Sequence, residues 1–111
     1  MILHGIGRAD DMAHNRHLSA SLTRRLNEQG AEAEALGCYY AADGRLLYAA
    51  SSVGVDPSKL SPGCRMIAVA GGCSKGAAIS AVMRHAHHYM LVTDEAAAQE
   101  LLRIHEEASH F

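Results

Sequence analysis

Met66-Ile-Ala-Val-Ala-Gly-Gly-Cys-Ser-Lys-Gly76 is the stretch on which the fold turns. Its first five residues are apolar and end abruptly at Gly71-Gly72. A continuous apolar run of this length suits a strand buried on both faces of a parallel sheet. Beyond the glycines, Ile79, Val82, Met83 and Ala86 recur at helical spacing, which predicts a helix from about Ser74 to His85. Tyr89-Met-Leu-Val92 reads as a second buried strand. Thr93-Asp94 then offers a cap to a final helix carrying Ala97, Ala98, Leu101, Leu102 and Ile104. Strand, helix, strand and helix at this spacing make a βαβ crossover with a further helix.

The segments upstream fit around that unit. Leu36–Tyr40 and Leu46–Ala49 flank Ala41-Ala-Asp-Gly-Arg45, and Asp-Gly between apolar runs signals a hairpin. Leu18, Leu22 and Leu26 recur every fourth residue and predict a helix from roughly His17 to Gln29, closed by Gly30. Ile2–Ile6 reads as a short buried strand, and Arg8–Asn15 as a polar turn region. Pro57-Ser-Lys-Leu60 could form one helical turn with proline at its first position. The expected fold class is α/β, a parallel sheet with a small β-hairpin insertion.

The 111 residues suffice for one domain and one core. Of the 49% that are hydrophobic, 20 residues are alanine and only 21 are Val, Ile or Leu. Packing must therefore be close and alanine-mediated. A net charge of -2 argues against a surface that lives on nucleic acid. No apolar run approaches the ~20 residues of a membrane span. The N-terminal residues lack the pattern of a signal peptide. Three cysteines without metal-ligand spacing read as reduced thiols of a cytoplasmic protein, small buried hydrophobes rather than nucleophiles.

Several segments could carry chemistry. Ala70–Gly76 leaves a buried strand and opens a helix. Its glycines admit a close ligand, and the helix dipole and the Lys75 ammonium both favour an anion there. The other reading is an ordinary strand-to-helix turn with an exposed lysine. Thr93-Asp94-Glu95 ends the neighbouring strand; it caps a helix, and a ligand contact would be additional. In Ala31-Glu-Ala-Glu-Ala35, both glutamates share one face of a strand and read as a solvated pair. His85, His87 and His88, with His4, His14 and His17, lack a partner that would complete a metal site. No catalytic, cofactor or metal site is expected.

Three segments in order resemble one family. They are His4-Gly-Ile-Gly7 with Met12-Ala13 and Arg16; Ala31–Tyr40 with Asp43-Gly44; and Ile67–Gly72 with Ser74-Lys75, followed by Leu91-Val-Thr-Asp-Glu95. The chain resembles the C-terminal effector-binding domain of SorC/DeoR-type sugar-responsive transcriptional regulators, and within them the glycolytic branch. The resemblance implies a Rossmann-like fold that senses a phosphorylated sugar, fructose 1,6-bisphosphate in the glycolytic branch. It implies that Lys75 and the Gly72–Ser74 backbone hold a phosphate, that Glu34 accepts hydrogen bonds from sugar hydroxyls, and that Arg16 binds phosphate. Asn15 stands where that branch typically has a second arginine, so a monophosphate is as open as a bisphosphate. The ligand residues expected are Arg16, Glu34, Gly71, Gly72, Cys73, Ser74, Lys75 and Asp94.

The resemblance further implies a homo-oligomer whose DNA contacts come from an N-terminal helix-turn-helix outside these residues. Residues 1–111 would then be a single partial effector domain. Two other readings compete. An isomerase or deaminase on this fold would need a base, for which Glu34 is the one plausible residue. A module serving only oligomerisation would leave apolar sheet surface uncovered.

Overall fold

The structure, a computed structural model, describes residues 1–50 and 63–109. The helical turn expected at 57–60 lies outside them. The elements are β1 (Ile2–Gly5), β2 (Gly7–Arg8), α1 (Ala9–Asn15), α2 (Ala20–Glu28), β3 (Ala31–Ala35), β4 (Cys38–Ala41), β5 (Leu46–Ala49), β6 (Met66–Val69), α3 (Gly76–His85), β7 (Met90–Val92) and α4 (Glu95–Ser109). They form two sheets. One is parallel, in the order β1-β6-β7; the other is antiparallel, in the order β2-β3-β4-β5. The expected parallel unit is present, and α3 joins β6 to its parallel neighbour β7.

The hairpin insertion grows into a four-stranded sheet because two turns are available instead of one. Gly44, at φ 92°, closes the expected β4–β5 turn, where its N–H donates to the Ala41 carbonyl at 2.9 Å. The second turn is Leu36-Gly37, with φ 54° and 82°. Left-handed conformation at both central residues is what a tight hairpin requires. These two residues were expected to begin a strand, and they instead reverse the chain between β3 and β4.

Most of the core lies around α3. It packs against α4 on one side and against β3 and β4 on the other. Seven of the twelve described residues in this cluster are alanine: Ala33, Ala35, Ala68, Ala70, Ala78, Ala81 and Ala97. Small side chains let helix and sheet backbones approach closely, and Ile79, Val82 and Tyr40 fill what remains. A second cluster, Ala9, Leu26 and Tyr39, holds α1 and α2 against the opposite face of the antiparallel sheet, with Leu18, Leu22 and Met12 packed on it.

Three further expectations about the elements need correction. Arg8–Asn15 is not a turn region, because Ala9–Asn15 is a helix whose first turn carries Asp10 and Asp11. Negative charge there complements the helix dipole. The next helix begins at Ala20 rather than His17. His17 takes φ 54°, and the Ser19 hydroxyl caps the new helix by accepting the Leu22 N–H at 3.2 Å. Finally, β6 is not buried on both faces. Met66 and Ala68 point inward, but Val69 is 45% exposed, as are Leu3 (69%), Met90 (48%) and Val92 (47%) on the neighbouring strands. Among the described residues, helices cover only one face of the parallel sheet.

Candidate functional site

The loop after β6 starts beside the end of β7, since the Ala70 N–H donates to the Val92 carbonyl at 3.1 Å. Gly71 and Gly72 follow, and Cys73–Lys75 form a single 3₁₀ turn that leads into α3. The first N–H groups of such a helical start have no carbonyl partner within it. Cys73 and Ser74 are exposed at this point, so Cys73 is not the buried hydrophobe expected.

Asp94 organises the loop. One carboxylate oxygen accepts the Gly72 N–H and the other the Ala97 N–H, each at 2.9 Å. A Cβ on residue 71 would stand 2.7 Å from the Asp94 Oδ2, so the close approach requires glycine. The Ala97 and Gly72 N–H groups hold the Asp94 carboxyl below the usual aspartate range. A carboxyl that titrates lower in the folded chain than in the unfolded one contributes fully above its unfolded value. That contribution is lost as the pH falls through the folded value. The Gly72 and Ala97 amide resonances should therefore shift together below roughly pH 4. Asp94→Asn should abolish that shared acid transition while preserving the helix cap.

Glu34 comes to the site from β3, and the sheet register sets its surroundings. Gly7 of β2 and Tyr39 of β4 are its cross-strand partners, beneath α1. The solvated pair expected at 32 and 34 is not formed, because Glu34 is only 3% exposed. Its Oε1 accepts the Gly37 N–H at 2.8 Å and faces the Arg16 guanidinium at 3.1 Å. The carboxylate thus fastens the strained Leu36-Gly37 turn and anchors the end of α1. The Tyr39 hydroxyl is buried there with no hydrogen-bond partner among the described residues. Burial, then the Glu34 charge, push its pKa up against the opposing pull of Arg16. Arg16 is 41% exposed, so the ion pair itself is worth only about 1 kcal/mol. Glu34→Gln keeps an acceptor for Gly37 and removes the charge. It should lower the melting temperature by about 5 °C in thermal denaturation.

Lys75 meets these groups across a cavity of about 410 Å³, whose walls include His4, Gly5, Gly7, Met12, Arg16, Glu34 and Leu36. It also lines a second cavity of about 340 Å³ with Arg8, Asp11, His14 and Asn15. Arg16 and Asn15 therefore serve different cavities, with Lys75 common to both. A wider groove of about 510 Å³ between α3 and α4 is walled mainly by Met83, Leu91, Leu101 and Leu102. Its character is apolar. Arg16, Lys75 and the Glu34 carboxylate, set among the apolar Ile6, Met12 and Leu36 in the cavity wall, suit an anionic, hydroxyl-bearing ligand.

Residues 1–103 match the family model described as "Putative sugar-binding domain". The chain belongs to this sugar-binding domain family. The sugar-binding domain is similar to the central glycolytic genes regulator of Bacillus subtilis, with 40% identity over 103 residues. The match covers 93% of this chain and 30% of that regulator. It is similar in structure to the "putative SorC family transcriptional regulator" from Enterococcus faecalis, with a TM-score of 0.82 and 37% identity over 90% of this chain and 41% of that one. The full-length sorbitol operon regulator SorC from Klebsiella pneumoniae gives a TM-score of 0.73 at 24% identity, over 90% of this chain and 34% of that one, a likeness of fold alone. The resemblance to SorC/DeoR regulators and the α/β class, a parallel sheet with an antiparallel insertion, both hold.

Within the sugar-binding domain, Arg16, Glu34 and Lys75 share one cavity. Gly71, Gly72 and Asp94 join them only through the loop that Asp94 ties down. His4, Gly5, Met12 and Leu36 also line the cavity. The sequence placed His4-Gly5 in a family motif but gave no sign that Leu36, read as a strand residue, would wall it. Among the described residues, no group of three His, Cys, Asp or Glu side chains could hold a metal ion, and no helix is long and apolar enough to cross a membrane.

Proposed function

We propose that this chain binds a phosphorylated sugar, as part of the effector domain of a bacterial transcriptional regulator. The observation carrying the reading is the convergence of Lys75, Arg16 and Glu34 on one cavity beside the Gly5–Gly7 turn. In this reading the phosphate sits against the Lys75 ammonium and the open N–H groups of Cys73 and Ser74. The sugar hydroxyls donate to Glu34. Gly71, Gly72 and Asp94 hold the loop in its binding form. Fructose 1,6-bisphosphate is the first ligand to try, because the relatives include a regulator of central glycolytic genes. Its second phosphate would lie in the neighbouring cavity, where Lys75 and Arg8 remain and Asn15 supplies no charge.

The chain acts as a sensor rather than an enzyme. Glu34, the one candidate base, is already engaged by Arg16 and Gly37, which favours binding over proton abstraction. In the cytoplasm, an effector that prefers one of two oligomeric arrangements of the regulator would shift its affinity for DNA. DNA contacts belong to a separate N-terminal domain, and residues 1–111 form a single partial effector domain. Titration calorimetry with fructose 1,6-bisphosphate, fructose 6-phosphate, triose phosphates and free fructose tests the reading. Heat is expected from the phosphorylated sugars alone. Equal response to free fructose, or no response to any, defeats it.

A further inference from the structure

Two imidazoles meet beside the cavity. His4 lies on β1, is 6% exposed and lines the cavity wall. His88 lies in the turn between α3 and β7. Their Nε2 atoms are 2.9 Å apart, with ring centroids at 5.1 Å and planes tilted by 51°. The second nitrogen of each ring faces a backbone carbonyl. His4 Nδ1 stands 3.0 Å from the Gly5 oxygen, and His88 Nδ1 stands 3.0 Å from the Ala86 oxygen.

A carbonyl oxygen only accepts, so both Nδ1 atoms must carry hydrogen. A neutral imidazole has a single N–H, so two neutral rings would turn bare Nε2 lone pairs on each other at hydrogen-bond distance. Changing one tautomer merely moves the conflict onto a carbonyl. One added proton between the rings satisfies all four nitrogens. We infer that His4 and His88 form a proton-sharing pair, an imidazolium–imidazole unit with one positive charge that fastens β1 to the turn before β7.

The surroundings suit one charge and resist two. The pair sits past the carbonyl end of α3, where the helix dipole favours a cation. Glu34 lines the same cavity as His4 and is negative; Arg16 and Lys75 line it too and are positive, and His87 adjoins His88. Burial lowers the His88 pKa, the bond to Ala86 opposes that shift, and His4 and His87 add to it. Repulsion from His4 and His87 opposes a second proton, whereas burial opposes any charge on His88 and the Ala86 carbonyl offsets part of that cost. The inference rests on the geometry of the two rings and does not depend on what the cavity binds.

The test is a ¹⁵N-detected NMR titration of the imidazoles in the intact 111-residue chain, from pH 5 to 9. The two rings should release protons in two coupled steps at least about one pH unit apart. Between the steps, both Nδ1 atoms should read as N–H and both Nε2 atoms as partly protonated. His4→Gln should turn His88 into a single-step titration, and His88→Gln should do the same for His4. Two independent single-step curves in the unsubstituted chain, or a plain Nε2–H tautomer on either ring at neutral pH, overturns the inference. The unsubstituted chain decides this even where a variant fails to fold.

Discussion

Replacing Lys75 by glutamine should weaken binding of a phosphorylated sugar about 30-fold and leave the fold unchanged. A charge-assisted hydrogen bond to phosphate contributes about 2 kcal/mol, which is that factor in affinity. Lys75 is the cation common to both cavities, whereas Arg16 shares its charge with Glu34. No hydrogen bond or ion pair within the described residues depends on the Lys75 ammonium, so the melting temperature should hold. Calorimetric titration of both chains with the same sugar phosphate measures the ratio. An unchanged affinity would place the phosphate elsewhere.

Gly44→Ala should destabilise the fold by about 2–4 kcal/mol. The residue sits at φ 92°, which strains any side chain. A Cβ there would lie 2.8 Å from the His85 amide nitrogen and 2.9 Å from the Arg84 carbonyl carbon. Both are backbone atoms of α3 and cannot swing aside. The turn is also held by the Gly44 carbonyl, 2.8 Å from His85 Nδ1, and the His85 ring packs at a 45° tilt against Tyr40, with centroids 4.5 Å apart. Displacing the turn therefore loosens the antiparallel sheet from α3. A drop of roughly 10–20 °C in melting temperature is expected. Gly30→Ala is the control. Its φ is 78°, but a Cβ there meets nothing within 4 Å, so the cost should stay near 1 kcal/mol. Similar losses at both positions would show that docking on α3 does not matter.

The parallel unit was legible because Met66–Ala70, the glycines and the helical spacing of Ile79, Val82 and Met83 all point the same way. The alanine-rich contact around α3 followed from composition. What stayed hidden depended on tertiary neighbours. Ala9–Asn15 has only Ala9, Met12 and Ala13 as apolar residues, too weak a stripe to announce a helix before the sheet beneath it is known. Leu36 carries no mark of a left-handed turn; the Glu34 carboxylate that fastens the Gly37 N–H holds it there. An apolar strand looks the same from sequence whether one face or both are covered. Of the site, Lys75 and Glu34 were visible as motif residues. Their common cavity arises from pairing β2 with β3, which periodicity does not reveal.

The central claim, that Lys75, Arg16 and Glu34 form one sugar-phosphate site, is tested most directly by an amide and side-chain NMR titration of this chain. Fructose 6-phosphate and free fructose serve as the paired ligands. Saturable shifts should appear with the phosphorylated sugar at Cys73, Ser74, Lys75, Arg16 and Glu34, and be absent with fructose. Shifts confined to the apolar groove between α3 and α4, or no saturable shifts at these five residues with either sugar, would contradict it.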